Sequence, residues 1–345
     1  MTCPSTTVLV AGTGVAIPGV PQGAGLLAAV RPPHPPLPWP PSGRDTRFKD
    51  RATRIALVAA EAALAEAGLL KDGSLTVPGT TVGTVVSSNL GNLDTVCRSA
   101  DAAVRAGPAG LRVVDLPTAC SNVVASSVAI RFGLNAVNLT LCNGATSGLD
   151  AVGWAVRALR SGRARRMVVV GVEPADPVPL HMVADQARAP GDRLLDGAAA
   201  LVLETAQAAA GRGRPNSVTV TAYARRRDPA AAVRAVGAGK EAGLWLPPGH
   251  RADDGRPPHI CAVCDMARTL PPASGALGVL QCVAAAAWLS VTPPPGTPPT
   301  ALAVSGGAPE DDAAAAVLLS ALSSMPRPGL PGPPRPHCEE APPER

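Results

Sequence analysis

Apolar positions along the chain recur in two periods, one typical of buried strands and the other of helices. Strands are predicted where short β-branched runs end in glycine or polar residues, at residues 7–14, 81–88, 138–143 and 166–173. Helices are predicted where apolar or small side chains recur at helical spacing, at residues 50–70, 119–132, 144–162 and 276–289. Because strands and helices alternate, the pattern favours a layered α/β fold.

One stretch of the chain occurs twice. Residues 196–203 (DGAAALVL) recur almost letter for letter as residues 312–319 (DAAAAVLL), and each copy lies downstream of a helix of similar texture. This repetition predicts a duplicated α/β unit. The alternative is that two alanine-rich segments resemble each other by composition alone.

Composition narrows the classes of function. The chain has 345 residues, of which 46% are hydrophobic, and this is ample for a packed core. The net charge of +5 is thinly spread, and two Phe, one Tyr and four Trp are too few to form stacking platforms for nucleic acid. A mildly positive surface suits an acidic protein partner instead. We therefore expect no nucleic-acid partner.

Targeting and membrane segments are not expected. Residues 1–20 lack the basic start and continuous apolar run of a secretory signal. The longest nearly unbroken apolar stretch, residues 276–289, is too short to span a bilayer. The sequence thus predicts a cytoplasmic protein without membrane attachment.

The eight cysteines show no disulfide spacing, so most are expected to be reduced core residues. Cys261 and Cys264 form a CxxC pair two residues after His259, but no second pair of ligands accompanies them. We expect ordinary strand packing here, with no metal and no cofactor.

Residues 122–174 carry a more specific pattern. This stretch contains Ile130 to Gly133 at a helix end, Asn138 leading into a buried strand, the pair Ser147 and Gly148, and a helix stop at residues 160–162. It resembles, without a gap, the segment of β-ketoacyl synthases that runs through the nucleophile elbow. Weaker similarity extends over most of residues 5–322.

The resemblance implies a thiolase-like α/β fold with five layers, α-β-α-β-α, built from two pseudo-two-fold-related halves. The halves would be an N-terminal half at residues 1–212 and a shortened C-terminal half at residues 213–323. A Pro-rich tail at residues 324–345 has no apolar period and is predicted to be disordered. Dimerisation in this family pairs the strand that corresponds to residues 139–143 across a two-fold axis.

The same resemblance places altered residues at the catalytic positions. Ala145 stands where the family has its nucleophilic cysteine, and a methyl group cannot accept an acyl chain. Pro272 stands at one histidine position, and neither His250 nor His259 is followed by the Gly-Thr pattern of the other. The family's Gly-Phe-Gly-Gly turn survives only as residues 305–307. No catalytic residue is therefore predicted.

The function implied is that of a chain length factor, a non-catalytic, ketosynthase-like subunit. It would form a heterodimer with an active ketosynthase, work with acyl carrier protein, and shape the acyl tunnel in polyketide or fatty-acyl biosynthesis. One departure is that such subunits commonly carry glutamine where this chain has Ala145. The tunnel and interface candidates are Cys120, Val123, Val124, Ser127, Val128, Leu139, Leu141 and Cys142.

Two alternatives remain open at this point. The first is an acyltransferase or cyclase that uses another thiol, with Cys142 and Cys120 as the nearest candidates. Cys142 is expected to be buried on a strand and inert, whereas Cys120 is expected to begin a helix but has no histidine near it in sequence. The second alternative is a homodimeric acyl-binding scaffold.

Overall fold

The computed structural model describes residues 7–28, 39–184, 194–212, 218–249, 255–291 and 299–322. The predicted tail and most of the Pro-rich loop at residues 32–41 lie outside these ranges.

The described strands are β1 (Val8–Ala16), β2 (Leu70–Lys71), β3 (Ser74–Leu75), β4 (Val82–Ser87), β5 (Asn138–Leu141), β6 (Arg166–Glu173), β7 (Gly197–Thr205), β8 (Val218–Arg226), β9 (Glu241–Leu246), β10 (His259–Val263), β11 (Thr300–Gly306) and β12 (Ala314–Ala321). The described α-helices are α1 (Arg51–Glu66), α2 (Leu93–Ala106), α3 (Val123–Phe132), α4 (Ser147–Arg160), α5 (Pro177–Ala184), α6 (Ala206–Ala210), α7 (Pro229–Ala235), α8 (Met266–Thr269) and α9 (Leu277–Ser290).

The main sheet repeats one topology twice. Its order is β10-β9-β11-β12-β8-β1-β7-β6-β4-β5, so β5-β4-β6-β7-β1 in the first half corresponds to β10-β9-β11-β12-β8 in the second. In both halves three strands are parallel and the last two pairings are antiparallel. Within the sheet, the two halves are joined at one paired position between β1 and β8, Leu9 with Thr219. The repeated segments at residues 196–203 and 312–319 lie at the start of β7 and β12, which are equivalent strands.

Three hydrophobic clusters hold the five layers of the fold together. The central cluster contains α4 and α9 between the two halves of the sheet. An outer cluster holds α1 and α3 against β4, β6 and β7, and a smaller one holds α7 against β8, β11 and β12. The sequence of layers is therefore α-β-α-β-α, as the resemblance implied.

The helix sequences explain their positions. The Asp50 side chain accepts a hydrogen bond from the Thr53 N–H at 2.8 Å and caps the start of α1. Ten of the fourteen residues of α9 are buried, as expected for a helix that is apolar on all sides. Between α4 and α9, Gly148 lies so close to Gly278 that a Cβ atom on Gly148 would be 2.7 Å from the Gly278 nitrogen.

Two predicted elements differ in extent. The predicted helix at residues 119–132 begins only at Val123, because the Asn92 side-chain amide binds the carbonyls of Thr118 and Cys120 and holds them in a turn. The predicted strand at residues 138–143 ends at Leu141. Cys120 and Cys142 therefore both lie outside the regular elements where they were expected.

No single helix among the described residues is long and apolar enough to cross a membrane. One sharply bent pair, Val113–Ala119 with Val123–Phe132, meets the length and composition criterion only when both helices are counted together.

Candidate functional site

Ala145 lies at the centre of a tight turn between β5 and α4. The turn is a 3₁₀ helix, Gly144–Thr146, and Gly144 has φ 80°, a conformation that glycine adopts at little cost. The Ser147 hydroxyl accepts from the Asn143 N–H and donates to the Asn143 side-chain oxygen, both at 2.8 Å. The local sequence thus builds a helix entry whose central side chain is a methyl group.

Asn89, which follows β4, holds this turn in place. Its side-chain amide donates to the Gly144 carbonyl at 3.0 Å and to the Ser274 hydroxyl at 2.9 Å. Its side-chain oxygen accepts from the Gly144 N–H at 3.2 Å and lies 3.0 Å from the Ser147 hydroxyl, whose single proton it shares with the Asn143 side-chain oxygen. One side chain therefore connects the ends of β4 and β5 with the start of α9.

Glu173, the last residue of β6, is fully buried behind Asn89. Its carboxylate accepts hydrogen bonds from the backbone N–H groups of Asn89, Leu90 and Gly275 at 2.8, 3.0 and 2.9 Å. The Ser88 hydroxyl adds a fourth at 3.2 Å. Burial raises the pKa of this carboxyl, and the four hydrogen bonds oppose that shift.

A second buried carboxylate, Asp150, supports the turn from within α4. It accepts from the Thr146 hydroxyl at 2.8 Å, from the Tyr223 hydroxyl at 2.6 Å and from the Asn143 side-chain amide. Arg225 lies 3.5 Å away and also pairs with Asp312. Burial and the hydrogen bond to Asp150 raise the pKa of Tyr223, so its phenol is a permanent donor.

The other segments implicated by the sequence meet at this turn. The carbonyl of Pro272 accepts from the Leu195 N–H at 3.0 Å, and the loop continues to Ser274, which Asn89 binds. A Cβ atom on Gly306 would be 2.8 Å from the Thr146 methyl, so the Gly306–Gly307 turn packs directly on the Ala145 turn.

The two histidines named from the sequence are not assigned to the site. His250 lies outside the described residues. His259 begins β10 opposite Glu241, at the end of the sheet away from Leu246 and Gly306, and its side chain is exposed. His259 therefore lies at the opposite end of its strand from the segment that packs on the Ala145 turn.

The two candidate thiols are both exposed. Cys142 was expected to be buried on a strand, but it lies one residue beyond β5, and its thiol donates to the Asn89 carbonyl at 3.7 Å. Partial desolvation and the nearby Glu173 raise the pKa of this thiol despite its exposure, which disfavours the thiolate. Cys120 precedes α3 by three residues instead of beginning it.

The remaining tunnel and interface candidates divide into two groups. Leu139 and Leu141 are half-buried on β5, which is an edge strand of the sheet. The residues Val123, Val124, Ser127 and Val128 are buried within the chain itself. They pack in the cluster between α1, α3 and the sheet, so the face of α3 that was offered to a partner is not exposed. Ile130 lies on the exposed side of α3, and 79% of this residue is accessible to solvent.

Sequence reasoning did not identify Asn89, Glu173, Asp150 or Tyr223. A signal was present for Asn89 and Glu173, because polar residues at the ends of buried strands often face a site at that edge of the sheet. Nothing local indicates that Tyr223, on β8, reaches across the halves to Asp150. Within the described ranges, no three His, Cys, Asp or Glu residues are grouped to hold a metal ion.

Comparison with known proteins identifies this arrangement. Residues 40–193 match the family model described as "Beta-ketoacyl synthase, N-terminal domain", and this segment includes Asn89, Ala145, Asp150 and Glu173. The chain carries a β-ketoacyl synthase N-terminal domain.

Curated relatives of this ketosynthase-fold chain include a 3-oxoacyl-[acyl-carrier-protein] synthase 2 of Vibrio harveyi, 30% identical over 193 residues that make up 50% of this chain and 45% of the relative. A granaticin polyketide β-ketoacyl synthase of Streptomyces violaceoruber is 31% identical over 208 residues, or 54% of this chain and 49% of the relative. The chain spans about half the length of the curated relatives it matches.

Solved structures confirm the fold over nearly the whole ketosynthase-like chain. The ishigamide ketosynthase/chain length factor superposes with a TM-score of 0.71 at 22% identity, covering 92% of this chain and 100% of that chain. A type II polyketide ketosynthase in complex with its acyl-carrier protein gives a TM-score of 0.72 at 17% identity, covering 93% and 100%. The thiolase-like fold predicted from the sequence is confirmed.

Proposed function

We propose that this chain is a non-catalytic ketosynthase-like subunit, in the manner of a chain length factor, that pairs with an active ketosynthase. The observation that carries the proposal is Ala145. The helix entry around it is held by hydrogen bonds through Asn89, Ser147 and Asp150, yet its central side chain has no nucleophilic atom. A well-built turn without a nucleophile suits a structural role.

A free sheet edge supports the pairing. β5 ends the sheet and is hydrogen-bonded only to β4 among the described strands. The carbonyls of Val137 and Leu141 accept from β4, so the alternation along the strand directs the N–H groups of Asn138 and Thr140 outward. Unpaired outward groups can extend the sheet into a second subunit.

The partners in this proposal are an active ketosynthase and an acyl carrier protein, and the products belong to polyketide or fatty-acyl biosynthesis. Solved relatives support both partners, since one is a ketosynthase/chain length factor and another is a ketosynthase in complex with its acyl-carrier protein. A cytoplasmic location forms part of the proposal. The described cysteines, all of them free thiols, fit a reducing compartment.

Co-expression with an active ketosynthase from the same genome tests the pairing. The wild-type chain is expected to co-purify in equal amounts with the ketosynthase. Thr140→Pro removes one outward N–H of β5 and should reduce co-purification at least about tenfold, while the variant chain stays folded by circular dichroism. Val263→Pro, on the opposite edge strand β10, is the matched control. The Cys264 N–H donates to Trp245 on β9, so alternation directs the Val263 N–H outward, and this variant should still co-purify.

Two outcomes would contradict the proposal. One is a chain that remains monomeric or pairs only with itself when the ketosynthase is present, which would favour a homodimeric scaffold. The other is an acyl adduct on any cysteine after incubation with acyl-loaded carrier protein, measured by intact mass, which would favour an acyltransferase.

A further inference from the structure

The central helix α4 has one exposed face. Eleven of its fourteen residues are buried, and the other three, Trp154, Arg157 and Arg160, are exposed. Because these three recur every third residue, they are neighbours in a row along the helix. Trp154 is 45% exposed, although tryptophan combines an apolar ring with a polar N–H and is enriched where protein segments contact each other. The row therefore indicates a contact surface.

The row continues onto strand β8. The Arg157 Cζ atom lies 5.2 Å from the centre of the Trp154 ring and 5.5 Å from the centre of the Tyr223 ring. Arg160 donates to the Thr221 carbonyl at 3.4 Å. These five residues form one continuous patch, the α4–β8 surface, in which a guanidinium group bridges two aromatic rings.

The α4–β8 surface offers unpaired hydrogen-bond donors. The Trp154 indole and the Arg157 guanidinium carry donors only. Apart from the ring contacts of Arg157, neither side chain has a hydrogen bond or an ion pair within the described ranges. A segment that matches this surface must therefore supply acceptors together with flat apolar groups.

The Pro-rich tail of the chain contains such a segment. Residues 328–336 (PGLPGPPRP) include five prolines, which lack an N–H and therefore leave the segment rich in carbonyl acceptors and poor in donors. Repeated prolines favour the polyproline II helix, in which Pro328, Pro331 and Pro334 share one face because they recur every three residues. One turn of this helix rises about 9 Å, which matches the length of about 9 Å of the exposed row of α4.

The tail also begins beside the α4–β8 surface. Near the end of β12, the Ser320 hydroxyl accepts a hydrogen bond from the Thr221 hydroxyl at 3.0 Å. The described chain ends two residues later, at Leu322. The six residues from Leu322 to Pro328 span up to about 20 Å when extended. The prolines can therefore reach the exposed row of α4 without a longer connection.

We propose that the α4–β8 surface binds residues 328–336 of the same chain as a polyproline II helix. The rings of the three evenly spaced prolines lie on Trp154, Tyr223 and the guanidinium groups, and their carbonyls accept from the Trp154 indole and Arg157. Four strands of the sheet separate β8 from β5, so this contact is independent of the proposed pairing with a ketosynthase.

Fluorine NMR of the full chain, labelled with 5-fluorotryptophan, tests this contact. The Trp154 resonance is identified by its loss in Trp154→Phe. In the wild type, a soluble gadolinium chelate should broaden this resonance only weakly, because the prolines cover the ring. The triple variant Pro328→Ala, Pro331→Ala and Pro334→Ala should shift the resonance and lose this protection, since it removes the three stacked rings.

The matched control substitutes the same number of prolines outside the segment. Pro326→Ala, Pro342→Ala and Pro343→Ala together should leave the Trp154 resonance as in the wild type. A peptide of residues 324–338 added to the first triple variant should restore the wild-type resonance. Its expected Kd is about 0.1 mM, below the millimolar effective concentration that a short flexible tether supplies.

Three results would overturn the inference. They are equal protection of Trp154 in the wild type and the first triple variant, an equal loss of protection in the control variant, and a peptide that leaves the resonance unchanged. Loss of the wild-type protection on dilution would show that the tail of a second copy occupies the surface, and the intramolecular contact would then be wrong. The measurements need no ketosynthase, so their failure leaves the co-purification result standing.

Discussion

At the scale of single residues, Ala145 provides no nucleophile, but the hydrogen bonds that hold its turn in place are present. Asn89 and Glu173 connect three chain segments around Ala145 through hydrogen bonds of 2.8 to 3.2 Å. Such a network stabilises a turn whether or not the central side chain reacts, since each bond to a charged group contributes about 1.5–3 kcal/mol. A substitution at residue 145 can therefore change the reactivity of the turn without changing its backbone geometry.

Restoring the thiol is a first test of this separation. Ala145→Cys should be alkylated readily by iodoacetamide, because the helix N-terminus favours a thiolate. It should not restore condensation, since Pro272 offers no donor for the thioester oxygen. Intact mass spectrometry measures alkylation, and product analysis with malonyl-loaded carrier protein measures condensation. Condensation by this single variant would show that a donor other than Pro272 serves the reaction.

Asp176 provides a pH-dependent prediction. Burial, followed by the charges of Asp94 and Asp196, raises the pKa of Asp176 from 3.8 to about 6, against the opposing charge of Arg51. Because the folded state holds the proton more tightly than the unfolded state, this group's contribution to stability falls as pH rises from about 4 to about 6. Asp176→Asn should therefore leave stability unchanged at pH 3.5 and increase it by about 1–2 kcal/mol at pH 7, discounted for partial exposure.

Urea unfolding at both pH values measures this difference. The matched control is Asp101→Asn, an exposed aspartate on α2 whose side chain is 55% accessible. It should change stability by less than about 0.5 kcal/mol at either pH. Equal effects of the two substitutions at pH 7 would contradict the assigned cause of the Asp176 shift.

At the scale of elements, burial excludes one face of α3 from the predicted interface and leaves another face accessible. Val124 is 3% exposed and packs within the chain, whereas Ile130 on the same helix is 79% exposed. A partner can contact α3 through its Ile130 side but not through Val124. The free edge of β5 and the exposed Cys120 and Cys142 also belong to the accessible surface.

Two phenylalanine substitutions separate the faces of α3. Val124→Phe should destabilise the chain by about 1–3 kcal/mol, because extra volume in a packed core forces side chains from their preferred rotamers. Ile130→Phe should change stability by less than about 0.5 kcal/mol, since it is on the surface. Thermal unfolding measures both. A tolerated Val124→Phe would place this side chain at the surface and return it to the interface candidates.

At the scale of the whole molecule, the two halves are held together by the close crossing of α4 and α9 and by the contact between β1 and β8. α4 and α9 meet at Gly148 and Gly278, and Tyr223 from the second half binds Asp150 in the first. Because these contacts join the halves through a common central layer, we expect them to unfold as one cooperative unit.

Gly148→Ala tests the crossing. The added methyl would lie 2.7 Å from the Gly278 nitrogen, and backbone on both sides leaves no flexible group to move. The variant should lose about 2 kcal/mol or more, or fail to fold. Gly239→Ala is the control, because its nearest neighbour would be 3.5 Å away at ordinary contact distance. Equal melting temperatures for the two variants would contradict the tight crossing.

The domain organisation remains a proposal at this scale. A boundary near residue 212 is supported by the position of β7 and β8 at the centre of the sheet, on either side of residues 213–217. The shared central cluster argues that the halves do not separate into independent folding units.

Local sequence was sufficient for much of the fold. Strands β4 and β6 and helices α1, α4 and α9 follow from the period of their apolar residues, which depends only on local geometry. The repeat at residues 196–203 and 312–319 indicated two equivalent halves, and the absence of a thiol at Ala145 is visible in the sequence itself.

Tertiary structure decided what surrounds that position. Asn89, Glu173, Ser274 and Tyr223 are far from Ala145 in sequence, and their hydrogen bonds exist only because the strand ends and two crossing helices bring them together. Burial of Val124 and exposure of Cys142 likewise depend on which neighbouring layer covers each side chain. A periodic pattern specifies that one face of an element is covered, but the packing of distant segments determines what covers it.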